Sequence, residues 1–187
     1  MSSEIKNQNT SIDTRLKVVI GFILLGAVSR LIPHPFNFTP IAAMGLFAGT
    51  YINNKKLAML IPISAMFLSD ILLQLINGSG FHDQMFWVYG SIALITSLGF
   101  LLRGREQRQT IMVASLIGSI LFFIITNFGT WAAGYYPYTV AGLTDCFILA
   151  IPFFKGTLMG DLFFNLVLFG GFALVRWASP MVIGKKI

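Results

Sequence analysis

Long apolar runs separated by short polar stretches set the pattern of this chain. A helix crossing a bilayer needs about 20 largely apolar residues. The runs at 16–33, 39–52, 57–76, 85–102, 110–133 and 157–177 are therefore read as six spanning helices. The second is short, so it must tilt, extend into its flanks or be buried by its neighbours. Between the fifth and sixth runs, 144–154 is apolar but too short to cross. It predicts an interfacial or re-entrant piece stopped near Pro152, because proline lacks the amide proton a helix interior needs.

The expected fold class is all-α: a polytopic transmembrane bundle of six helices. The domain reading is a disordered cytoplasmic amino terminus at 1–14, a six-helix transmembrane domain at 15–178 and a cytoplasmic carboxy-terminal tail at 179–187. The first run has Arg30 and His34 after it instead of a small-residue cleavage site, so it is expected to stay as a helix.

Composition supports lipid as the solvent. Of 187 residues, 56% are hydrophobic and 11% charged, against about 25% charged in soluble domains. That is too little polar surface to coat a water-soluble globule. The net charge of +6 does not point to nucleic acid, because the basic residues fall in short clusters between apolar runs.

Orientation follows from those clusters. With the amino terminus inside, eleven of the thirteen Lys and Arg residues lie on the cytoplasmic side, among them Lys17, Lys55, Lys56, Arg103, Arg105 and Arg176. Arg30 and Lys155 alone face outward. This asymmetry predicts cytoplasmic termini in a bacterial inner membrane and an even number of crossings, with four the competing count. Small residues four apart, Gly45 with Gly49, Ala114 with Gly118 and Ser115 with Ser119, mark faces where helices of this chain pack closely.

Ionisable residues at membrane depth are costly, and their placement is informative. Arg30, Asp70, Lys155 and Asp161 all map toward the outer face. Asn37, Asn127 and Trp131 fall at the same level, as do Tyr135, Tyr136 and Asp145 in the loop that follows. Together these ten predict a polar, aromatic-rich pocket opening outward above an apolar inner half. The plainer alternative pairs Arg30 with Asp70, and Lys155 with Asp161, simply to lock helix positions.

The search for chemistry is short. No nucleophile elbow, zinc-protease motif or phosphate-binding loop occurs, so no catalytic residue is assigned. His34 and His82 lack zinc-ligand spacing, and neither a protein metal site nor a cofactor is expected. The one cysteine, Cys146, reads as a small buried hydrophobe, with a soft ligand for a metal carried by the substrate as the sharper idea.

Four segments, 30–49, 68–70, 126–131 and 150–161, resemble signatures of a group of uncharacterised bacterial integral membrane proteins, a likeness covering about residues 16–177. In size, helix count and outward polar pocket the chain also resembles the substrate-binding S components of energy-coupling factor vitamin transporters. That resemblance implies capture of a vitamin-like ligand, then docking on a transmembrane coupling subunit with ATPases. S components commonly carry Ala-x-x-x-Ala on their first helix; here Gly21 and Leu25 stand there, and the nearest small pair is Gly45 with Gly49. The expected function is therefore a transporter's membrane-embedded subunit for a small organic cofactor or vitamin-like ligand. Its partners would be that molecule, the lipid bilayer and an energising module, with no nucleic acid. The alternatives are a structural or assembly protein and an intramembrane enzyme using Asp70 and Asp161.

Overall fold

The computed structural model describes residues 2–179, with side chains from Thr14 onward. The segment at 1–14, expected as a disordered tail, is helical from Ser2 as the start of α1, and of the expected tail at 179–187 only Ser179 is among the described residues. Six helices and no strand make up the described residues: α1 (Ser2–Ser29), α2 (Ile41–Tyr51), α3 (Lys55–Asn77), α4 (Met85–Phe100), α5 (Arg108–Ala132) and α6 (Val140–Ala178). Three of them, α3, α5 and α6, are long and apolar enough to cross a membrane.

The short second run resolves into the centre of the bundle. α2 has 11 residues, all buried, and is only about 16 Å long at 1.5 Å per residue. It packs against each of the other five helices. Close approach to α4 depends on Gly49, where a Cβ would lie 2.1 Å from the Thr96 carbonyl oxygen. Gly99 returns the contact on α4, 2.5 Å from the Leu46 carbonyl by the same measure. The Gly45–Gly49 pair thus packs helices of its own chain, as expected.

Residues 144–154 do not re-enter. They belong to α6, which runs unbroken for 39 residues, or about 58 Å. Pro152 lies inside it. Proline removes one intrahelical hydrogen bond, but the following helix turns and the long contact with α5 hold the axis through it, as membrane helices commonly allow. A five-residue π segment, Leu166–Gly170, interrupts the regular α-helical bonding further on.

The contacts also settle which helix ends lie together. Arg103 of the α4–α5 loop reaches the carboxyl end of α2, and Arg176 near the end of α6 pairs with Glu106 at 3.4 Å. This basic end is sealed by aromatic packing: Phe47 meets Phe169 and Phe172 edge to face, with centroids 5.2 and 5.7 Å apart, and Tyr51 lies 4.4 Å from Phe172. The segments 30–40, 78–84 and 133–139 gather at the opposite end.

Candidate functional site

At that opposite end a cavity of about 420 Å³ lies between the 30–40 segment and helices α3 to α6. Its polar lining includes Arg30, Asn37, Thr39, Thr126, Asn127 and Thr157. Five phenylalanines, Phe36, Phe122, Phe123, Phe153 and Phe154, supply much of the apolar wall. A concave, mostly apolar site with a few convergent polar groups is the usual form of a small-molecule site.

The 30–40 segment reaches the cavity by lying along α6. A Cβ at Gly156 would sit 2.2 Å from the Phe36 carbonyl oxygen, and one at Gly160 would sit 2.9 Å from the Thr39 nitrogen. These glycines, one turn apart, form a flat track on which an irregular segment can rest. Asn37 turns that segment with φ at 58°, a left-handed conformation that asparagine tolerates better than most side chains.

Arg30 is held from behind. Its Nη1 forms an ion pair with Asp70 at 2.7 Å, and also donates to the Ser69 hydroxyl and to the Met66 carbonyl. Tyr89 donates its phenol to Asp70 Oδ2 at 2.5 Å. Asp70 is 1% exposed, covered by the 78–84 segment where Gly80 meets the Asp70 carbonyl. The ion pair is thus buried and electrically neutral, with Oδ2 hydrogen-bonded by Tyr89 and Oδ1 facing Arg30 without a hydrogen bond. Every contact of the guanidinium among the described residues is made through Nη1. Among the described residues Nε and Nη2 have no partner, and Arg30 borders the cavity.

Asn127 uses one amide proton on the Phe123 carbonyl at 2.8 Å, leaving its side-chain oxygen without a protein partner among the described residues. Its own backbone carbonyl accepts the Cys146 thiol at 3.3 Å. Cys146 is buried, as the plainer reading of it expects.

Asp161 occupies a different place. It lies one turn of α6 below Thr157, 2% exposed, and accepts from the Ser119 hydroxyl at 2.6 Å, with the Ala43 backbone amide nearby. Ala43 is in the first turn of α2, whose Pro40 N-cap offers no side-chain acceptor. Asp161 therefore stands at the amino end of the central helix, where the helix dipole favours a carboxylate. The pairing of Lys155 with Asp161 is not formed: Lys155 is exposed on the outer surface of α6, with no partner among the described residues.

Of the ten expected site residues, the cavity gathers Arg30, Asn37 and Asn127, with Asp70 directly behind Arg30. Trp131 instead donates its indole N–H to the Pro137 carbonyl at 2.9 Å, and Tyr135 bonds Asp83 at 3.2 Å, so both brace loops at the rim. Tyr136, Asp145, Lys155 and Asp161 also lie outside the cavity lining. Tyr89, Ser69, Thr157, Ser115, Ser119 and Asn165 carry polar contacts or cavity wall that the sequence did not assign to a site.

The chain matches the model of the Family of unknown function (DUF6580) over residues 10–182. It belongs to that family. No curated protein and no solved structure matches it. Among the described residues no group of three or more His, Cys, Asp or Glu side chains is placed to hold a metal ion.

Proposed function

We propose that this protein captures a small organic ligand from the outer side of a membrane, as the substrate-binding subunit of a transporter. One observation carries the reading. Arg30 borders a cavity of about 420 Å³ with Nε and Nη2 unpartnered among the described residues, while Asp70, Ser69 and Met66 fix its Nη1. Such an arginine is positioned before any ligand arrives, so little ordering opposes binding. Its free edge suits a carboxylate or carbonyl group of the ligand. Among the described residues the Asn127 oxygen and the Thr39 and Thr157 hydroxyls are further groups around the cavity without a hydrogen-bond partner, and the phenylalanines accept a flat apolar body.

The likeness to S components enters at this point as part of the proposal. Six helices, a cavity at one end and a closed aromatic cluster at the other suit capture followed by hand-over to an energising partner. The chain's motifs include no nucleotide-binding loop, so ATP-driven transport would need ATPases carried by that partner.

The test is purification of the chain from cells that make it, followed by mass spectrometry of retained small molecules and a thermal-shift panel of vitamins and their precursors. The wild type should carry or respond to one compound class. Asn127→Ala should weaken that response while keeping the fold. Finding no retained molecule and no response across the panel would contradict the proposal.

A further inference from the structure

Below the cavity, α5 and α6 face each other through two polar rungs. In the first, Ser119 donates to Asp161 at 2.6 Å. In the second, one turn toward the basic end, Asn165 donates through Nδ2 to the Ser115 hydroxyl at 2.8 Å. The spacing of four on both helices, 115 with 119 and 161 with 165, places all four side chains on the shared face. Each is at most 5% exposed.

Two features of this cluster are costly as they stand. The Asp161 carboxylate has no cation beside it among the described residues; its hydroxyl partner and the nearby Ala43 amide carry no net charge. On the next turn Asn165 Oδ1 is buried with no hydrogen-bond partner. Buried polar groups are almost always matched, and an ionisable group at membrane depth is functional by default. An unmatched carbonyl oxygen beside an unpaired carboxylate is an excess of acceptors over donors, which is what a cation requires.

We propose that Asp161, Asn165, Ser115 and Ser119 form a buried site for one sodium ion. The ligand set is all oxygen, the choice of hard cations over zinc or copper. A single carboxylate among neutral oxygens balances one positive charge, which selects an alkali ion over calcium or magnesium. The two rungs lie roughly 5.4 Å apart along the helices. Oxygens of both would draw in around an ion lodged between them to the roughly 2.3–2.6 Å typical of a cation of calcium's size, which sodium closely matches. The π segment begins at Leu166, immediately after Asn165; such local widenings are frequent at functional sites. Thr157, buried and one turn above Asp161, lines the cavity and leads from it toward the site.

The experiment uses the full chain in detergent with no organic ligand, so its outcome is independent of what the cavity binds. Sodium chloride replaces N-methylglucamine chloride at constant ionic strength and pH, while the unfolding temperature and the radioactive sodium retained per chain are followed. The expected result is a saturable rise of several degrees, with binding that approaches one ion per chain. Asp161→Asn should abolish both. Asn165→Ala, which leaves the Asp161 contact with α2 in place, should weaken sodium binding about tenfold or more; it decides the matter alone if Asp161→Asn does not fold. A wild type indifferent to sodium overturns the proposal, as does a sodium response unchanged in Asn165→Ala. Stability that follows pH but not sodium also overturns it, because Asp161 then takes up a proton instead.

Discussion

Asp161 and Arg103 stand at opposite ends of the buried helix α2, a carboxylate at its amino end and a guanidinium at its carboxyl end. Asp161 lies beside the Ala43 amide in the first turn. Arg103 donates to the carbonyls of Gly49 at 2.9 Å, Ile52 at 2.7 Å and Asn53 at 3.2 Å. A short helix sealed inside a bundle cannot satisfy its terminal groups with water, so other elements must supply the partners. Both charges have the sign that the helix dipole favours.

Arg103→Met should therefore destabilise the fold by about 2–4 kcal/mol, since three carbonyls lose a charged donor together. Arg105→Met, exposed in the same loop, should change stability by no more than about 0.5 kcal/mol. Unfolding midpoints in detergent compare the two; equal effects would refute the role given to Arg103.

Gly49→Ala sets a methyl group against backbone. The nearest atoms, the Thr96 carbonyl oxygen at 2.1 Å and the Gly99 Cα at 2.9 Å, cannot rotate away, so α2 and α4 must part. A loss of about 3 kcal/mol or more is expected. Gly90→Ala, with nothing within 4 Å of its Cβ, should instead gain up to about 1 kcal/mol from helix propensity. Opposite shifts in unfolding temperature are the predicted signature.

Asp70→Asn leaves Arg30 with an uncompensated charge and should cost about 3 kcal/mol or more, whereas the double change Arg30→Met with Asp70→Asn should recover part of it. Tyr89→Phe should cost about 1–2 kcal/mol through the lost phenol donor. A double-mutant cycle on unfolding free energies measures the coupling; additive losses would mean that the pair is not a unit.

Much of the frame was readable in the sequence. Apolar run length located the helices, and Gly45 with Gly49 marked a true packing face, because both signals are local. Pro152 misled: its effect depends on the contact that α6 makes with α5, which no local rule records. The burial of α2 was visible only as a run too short to span. Within the site, Arg30 and Asp70 could be paired from their shared depth. Tyr89 and Asn165 went unnoticed because a lone phenol or amide barely alters hydropathy and finds its partner far along the chain. Ser115 and Ser119 were read for size, and their hydroxyls mattered more. Asp161 was matched with Lys155 by proximity in sequence, yet Lys155 lies on the outer surface of the helix.

The central claim, that the cavity around Arg30 opens to the outer side of the membrane, is tested most directly by thiol labelling. Asn127→Cys is made in a Cys146→Ser background, which removes the one native cysteine. An impermeant thiol reagent is then applied to intact cells and, separately, to inside-out vesicles. The account predicts labelling from the outside and protection from the inside, where Phe47, Tyr51, Phe169 and Phe172 close the bundle. Labelling from the cytoplasmic face alone, or from neither face, would contradict it.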